Sequence, residues 1–386
     1  MNWQAGKVIE EDHYYDLLAH DVSGEAWRAK RLLPDRSSGP CGSMITARFQ
    51  ELELDQSEAG HPNIKGTSVN FYFDEIIKVP LNTVVREESI VNEKTRSLSS
   101  GLKLARFSSL DLSFEVDNSS GKTIFRAASE DPQVTNVQIN RIFESFCFVL
   151  AYTRSWSALV VSRPAGTVCR LRAVGPEHIK TRAFPPLHIS HDSVTQTVWS
   201  LFDKYFAYVN QNLDAPYHPL SVLLRTVAES GKASLDVQAL TLSVSVEKLL
   251  MEEMKGLYDV SEDLVRNIRC ASQLITESGA LDAPFRKRTL GALGAMKNPR
   301  AKDVLAKLRQ RGVIDGELIK TYGELRNKMA HGAHDPDADI QDFFNQTNTV
   351  LVLFYQLVFL LMGYVGSYTD YGEYGYPTKE FSGKLA

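Results

Sequence analysis

The chain is short of cysteine, and none of its cysteines stands in a useful pair. Cys41, Cys147, Cys169 and Cys270 are scattered over 386 residues with no Cys-x-x-Cys spacing. That pattern argues against a closed zinc site and a disulfide framework, and it suits a reducing cytoplasm. An excess of one charge is also missing: 43 Lys and Arg against 47 Asp and Glu leave −4. A chain this close to neutral has no global attraction to nucleic acid, so any basic surface must be local. Met1 to Tyr15 is charged and holds no apolar signal core. No convincing internal repeat is present. Nor is there a clean run of about 20 apolar residues, the length a spanning helix needs. The nearest, Val350 to Val365, is shorter, is interrupted by Tyr355, Gln356, Gly363 and Tyr364, and follows Asn345, Gln346 and Asn348. It reads as a buried core or dimer-interface helix, and no membrane is expected as a partner.

What is present is ordinary globular material, 43% hydrophobic and 23% charged. The length suggests two domains, and the pattern changes near residue 190. Residues 1–190 read as β-rich. Met44 to Leu54 and Ser68 to Val79 are rich in β-branched and aromatic residues. Leu110 to Val116 alternates apolar and polar, and Asn118-Ser119-Ser120-Gly121 turns the chain into a returning strand at Lys122 to Arg126. Val137 to Arg154 has helical spacing and is expected to pack on the sheet. Trp156 to Val161 and Thr167 to Val174 are further strands around the Arg163-Pro164-Ala165-Gly166 turn. A linker is expected at 175–192, where Gly175-Pro176 and Pro185-Pro186 break regular structure. Residues 191–386 read as all-α, with helices near 193–211, 217–230, 234–254, 261–277, 283–295, 299–311, 316–331 and 339–365, then a Gly/Tyr-rich tail expected to pack back on them. The fold class is therefore α+β.

One helix carries chemistry. In Gly316 to His331, Leu318, Tyr322, Leu325 and Met329 recur at core spacing. A second stripe, Ile319, Gly323, Arg326 and Ala330, is mostly small, which predicts a tight helix–helix contact around Arg326. Asn327 and His331 lie four apart on a third face. Gly332 suits the position just past a helix end, where the helix dipole favours a protonated imidazole at His331. Upstream, Val237, Leu240, Val244 and Met251 form an apolar stripe with Glu247 in its gap. An unpaired buried carboxylate is costly, and Arg326 is the expected partner. A structural salt bridge or a solvent-edge glutamate explains Glu247 as well.

Arg326-Asn327 followed by His331-Gly332, with Ser245 to Leu250 upstream and an apolar helix downstream, resembles the Arg-x4-His motif of HEPN domains. The layout of residues 193–376 is similar to the ApeA-like HEPN ribonucleases of bacterial anti-phage defence. The resemblance implies an all-α HEPN domain and a metal-independent RNA endonuclease without cofactor. It also implies a homodimer with a composite site, acting in anti-phage or toxin-like defence. RNA supplies its own nucleophile, the 2′-hydroxyl. A histidine can serve the proton transfers, and an arginine fork can hold the phosphate and its developing charge. On this reading Arg326, Asn327, His331 and Glu247 form the site, and the β-rich half is a sensor of a phage or cellular trigger.

Phe285 to Gly312 holds Arg286, Lys287, Arg288, Lys297, Arg300, Lys302, Lys307, Arg309 and Arg311 with only Asp303 opposing. This is the expected phosphate-tracking surface, although such runs also occur as solvated helix faces. His331, His334, Asp335, Asp337 and Asp339 match no closed zinc pattern, and Asp-Pro-Asp has a sufficient explanation in turn chemistry. A metal-dependent hydrolase built on them is the weakest reading. The main alternative is a non-catalytic HEPN-type module that dimerises or holds RNA or a protein.

Overall fold

The computed structural model of the chain describes residues 14–39, 42–48, 51–56, 64–91, 94–172, 184–189, 195–257, 260–331 and 339–383. They divide into two compact units, residues 1–180 with 188–222, and residues 181–187 with 223–386.

The first unit is built on one antiparallel sheet. Its strands are β1 (Tyr15–His20), β2 (Ala26–Gly39), β3 (Gly42–Arg48), β4 (Glu51–Gln56), β5 (Thr67–Tyr72), β6 (Thr83–Val91), β7 (Lys94–Ser109), β8 (Leu112–Asp117), β9 (Ile124–Ser129), β10 (Ala158–Arg163) and β11 (Gly166–Arg172). The order is β1-β2-β4-β11-β10-β5-β9-β8-β7-β6, with β3 paired to β2. The alternation in β8 works as expected. Phe114 and Val116 are buried while Ser113 is exposed and Glu115 half-exposed, and β9 returns opposite them. Ser68 to Val79 forms strand only as far as Tyr72; Phe73, Ile77 and Val79 are buried in irregular chain, where the Thr123 hydroxyl accepts from Ile77 N–H at 2.7 Å.

Two helices cover the sheet. Thr135 and Gln138 make a capping box that starts α1 (Asn136–Leu150). Phe146 of α1 stacks on Phe73 and Phe125 of the sheet unit. Helix α2 (Thr195–Val209) lays Trp199, Phe202 and Phe206 against Phe107 and Phe114. By packing, α2 thus belongs with the sheet, although its composition resembles the helical half. On the outward face Glu115 accepts from Arg106 and Arg126, and Arg126 also reaches Asp117.

The loop after α2 is tied to α1 by Arg141, which is wholly buried. Its guanidinium donates to the carbonyls of Val209, Asn212, Ala215 and Pro216 and to both oxygens of Glu144. Glu144 also accepts from His218 N–H and the Ser221 hydroxyl. His218 precedes α3 (Pro219–Ser230), and its Nδ1 accepts from Leu220 N–H at 3.1 Å. Burial, aided by the Arg141 charge, pushes the His218 pKa down from 6.5 to about 4. The unfolded chain therefore holds this proton through a window in which the folded chain does not. His218's contribution to stability is complete above about pH 6.5 and is lost as pH falls towards 4, on the order of 3 kcal/mol. His218→Asn keeps an acceptor for Leu220 N–H but cannot titrate. It is expected to flatten that slope, read from denaturant midpoints by tryptophan fluorescence. An unchanged slope would remove His218 from the account.

The second unit is helical: α4 (Leu235–Lys248), a π-helical turn at Leu249–Glu253, α5 (Glu262–Glu277), α6 (Ala283–Ala295), α7 (Ala301–Gln310), α8 (Gly316–His331) and α9 (Ile340–Leu361). Side chains of Ser234, Ser261, Asp282 and Asp339 cap α4, α5, α6 and α9. Helix α9 is long and apolar enough to cross a membrane by composition, and here it is a core helix in contact with α4 and α8. The tail is more ordered than its glycines suggest. It forms a hairpin of β12 (Gly366–Thr369) and β13 (Thr378–Phe381), with Tyr364, Tyr368 and Tyr371 buried. Within this unit Tyr355 and Tyr371 donate to the carbonyls of Phe184 and Pro185. The rest of the expected linker, at 175–183 and 190–192, lies outside the described residues.

Candidate functional site

Helix α8 begins where the Asp315 carboxylate accepts from Glu317 N–H at 2.9 Å. Tyr322 and Leu325 face the core as the spacing requires, with Leu318 and Met329 half-buried beside them. This orientation fixes where the polar residues point. Asn327 is exposed, and so is Arg326, whose side chain is 44% accessible. The expected tight contact around Arg326 is not found among the described residues. A Cβ placed on Gly323 would meet nothing within 4 Å, because α4 and α9 pack on the Tyr322–Leu325 face instead.

Glu247, near the end of α4, meets Arg326 across the helix pair. Arg326 Nε donates to Oε2 at 3.1 Å and Nη2 to Oε1 at 3.2 Å. The carboxylate holds Arg326 more firmly protonated than a free arginine. The pair is exposed on both sides, so its effect on stability is about 1 kcal/mol or less, and what it fixes is the direction of the guanidinium. The π-turn that follows Glu247 is a feature frequent at functional sites.

The stripe around Glu247 is not core, contrary to the pattern. Val237, Leu240 and Val244 are 47%, 49% and 57% exposed. The buried face of α4 is instead Ala239, Leu242, Ser243, Val246 and Leu249. Its small residues let α8 and α9 approach, and the more bulky stripe is left outward. Because Glu247 belongs to this stripe and Arg326 to that of Gly323, the ion pair joins an apolar surface on α4 to an open small-residue surface on α8.

Tyr322 was legible only as a core position. Its hydroxyl is buried beside the Arg326 guanidinium, which acts on it as a hydrogen-bond donor although the geometry falls short of a well-formed bond. Burial pushes its pKa up to about 12; the Glu247 carboxylate adds to this and the Arg326 cation opposes it. The hydroxyl thus lies within electrostatic reach of both members of the pair. The sequence signal was a tyrosine in place of a phenylalanine one turn before the arginine.

His331 ends α8, and its side chain lies outside the described residues, as do Gly332 to Ala338. The His331–Asp337 part of the metal reading lies there too, while Asp339 accepts from Gln341 N–H as the cap of α9. Among the described residues no cluster of His, Cys, Asp and Glu could hold a metal ion.

The basic run falls on α6, α7 and their flanks. Lys287, Arg288, Lys297, Lys302, Arg309 and Arg311 are exposed, and Lys307 is half-buried. Two members are otherwise engaged. Arg286 donates to the carbonyls of Ser278 and Leu281 at 2.8 and 3.0 Å, closing the α5–α6 turn. Arg300 pairs with Asp303 at the start of α7.

Comparison with family models, with curated proteins and with solved structures finds no match to this chain.

Proposed function

We propose that the chain is a metal-independent RNA endonuclease of the HEPN type, acting as a homodimer. The observation that carries this reading is Arg326: an exposed guanidinium held by the two bonds it donates to Glu247, on the helix that ends at His331. A charge with little value for stability, aimed by a partner, is what binding a phosphate requires. His331 serves proton transfer at the 2′-hydroxyl or the leaving oxygen. Arg326 stabilises charge on the phosphorane, Asn327 is a further donor, and the exposed cations of α6 and α7 track the RNA backbone. The product is a 2′,3′-cyclic phosphate.

The exposed Val237–Leu240–Val244 stripe beside the pair supports a second copy docking along α4 and α8. Val244→Glu is expected to shift the dimer to monomer in light scattering at fixed concentration, with the helical circular dichroism unchanged. A Val244→Glu protein that remains dimeric sinks this interface. In the first unit, an open, shallow groove on the outward sheet face is lined by Ser68, Ser108, Ser113, Arg106, Glu115 and Arg126. Its serine hydroxyls and charged side chains make it a candidate contact surface for a sensed trigger in the defence role.

The deciding experiment is cleavage of total cellular RNA in EDTA by the wild type, Arg326→Ala and His331→Ala, with end-group analysis. Loss in both variants with cyclic ends from the wild type supports the enzyme. Salt-sensitive RNA retention without product would make the chain a binding module instead.

A further inference from the structure

One end of the sheet in the first unit is strand β1. It pairs with β2 on one side and, among the described residues, with no strand on the other. A bare edge is a row of unpaired N–H and C=O groups, and proteins ordinarily blunt it with lysine, proline or a bulge. Tyr15–His20 contains no lysine and no proline. The irregularity in its ladder lies on the other strand: Tyr15 stands opposite Leu32 and Leu17 opposite Ala29, so the extra residue belongs to β2 and β1 stays regular. Neither face of β1 is covered. Leu17 and Leu18 point to opposite faces and are 42% and 58% exposed. A regular edge strand with leucine open on both faces is a place for another strand to add.

The residues of β1 say which strand fits. Laid antiparallel about Leu18, the strand complements itself. On one face Asp16, Leu18 and His20 stand opposite His20, Leu18 and Asp16 of a second copy, so a carboxylate meets an imidazole on each side of a leucine pair. On the other face Leu17 meets Ala19, large against small. A slip of one residue either way sets Asp16 opposite Ala19 or opposite Asp21, and the match of charge is lost.

We propose that β1 is a docking edge for a second copy of this chain: two β1 strands pair antiparallel with Leu18 on the twofold axis, and the two first-unit sheets become one continuous sheet. Such a contact is isologous, each copy giving the same surface. It goes beyond the ribonuclease reading and uses neither α4 nor α8.

The test is disulfide trapping of the full chain without RNA, in the Val244→Glu background so that a contact through α4 does not contribute. Val244→Glu alone gives the rate due to the native cysteines, of which Cys270 is exposed. Leu18→Cys places two thiols face to face across the proposed axis. Val22→Cys is the collision control, because Val22 is wholly exposed in the turn after β1 and lies outside the paired strand. Under mild oxidation at low micromolar concentration, Leu18→Cys is expected to form covalent dimer roughly tenfold faster than Val22→Cys, since cross-strand neighbours hold their Cβ atoms about 5 Å apart. Leu17→Cys, whose two copies are offset by two residues, is expected to be trapped several-fold more slowly than Leu18→Cys. His20→Asp sets carboxylate against carboxylate and is expected to slow trapping at Leu18 roughly fivefold, and adding Asp16→Lys to restore it. Trapping at Leu18 no faster than at Val22 overturns the docking edge. Equal trapping at Leu17 and Leu18 overturns the register about Leu18. Since no RNA enters the experiment, either result leaves the ribonuclease reading to its own test.

Discussion

Arg141→Met is expected to destabilise the first unit by about 3–5 kcal/mol, enough to remove much of the stability of an ordinary domain. The side chain is wholly buried, and the backbone carbonyls and carboxylate it serves have little else to satisfy them. Methionine fills most of the volume but leaves Glu144 as a buried charge, with only His218 N–H and the Ser221 hydroxyl donating to it. Burial already raises the Glu144 pKa, so the unpaired carboxyl is expected to take up a proton in the variant. Adding Glu144→Leu removes that charge and is expected to recover part of the loss, but not the part due to the Asn212, Ala215 and Pro216 carbonyls. The measurement is clean because Trp27, Trp156 and Trp199 fall in the first unit and the second unit contains no tryptophan. Fluorescence therefore follows this unit alone in denaturant. A loss under about 1 kcal/mol for Arg141→Met would mean that water replaces the guanidinium and that the loop is not held as described.

What the sequence disclosed depended on whether a residue's partner was local. Strand β8 and its return β9 were readable because Phe114 and Val116 alternate with Ser113 and Glu115 across a short turn. The helices of the second unit were readable from caps and period. The long β6–β7 hairpin was missed, because its pairing is a backbone ladder at the sheet edge and its sequence, Thr83 to Ser109, shows no sustained alternation. Helix α2 has an amphipathic face, but nothing local says that the face meets Phe107 and Phe114 of the sheet. In α4 two stripes have helical period, and periodicity cannot choose between them. Close approach of α8 and α9 selected the one with Ala239, Ser243 and Ser245. The Glu247–Arg326 pair was named from the sequence on the premise of a buried carboxylate; the pair is there, but the stripe around Glu247 is exposed, so that premise was wrong. The placing of the buried Tyr322 hydroxyl beside that pair was not legible, since it depends on how α4 and α8 meet in three dimensions.

If the chain is the ribonuclease proposed, removing the Arg326 fork is expected to have the largest effect on its activity. Loss of one preorganised donor to a developing oxyanion typically slows a reaction about 10²–10³-fold, and loss of a general acid or base about 10²–10⁴-fold. Arg326→Ala and His331→Ala should therefore each leave RNA cleavage at or below about 1% of wild type. Arg326→Lys is the more telling change. Lysine keeps the charge, so salt-dependent retention of RNA should fall little. It lacks the planar fork that Glu247 orients through Nε and Nη2, so cleavage should still fall about 100-fold. Glu247→Gln should be milder, because an amide can accept from only one arm of the guanidinium yet leaves the charge in place. This ordering, Ala at least as severe as Lys and Lys more severe than Gln, distinguishes an aimed phosphate grip from a surface charge. If Lys matches the wild type in cleavage, Arg326 acts only as a point charge and the aimed geometry is irrelevant. If cleavage survives Arg326→Ala and His331→Ala alike, the reaction belongs to other residues, and the α8 site is a docking surface rather than a catalytic one.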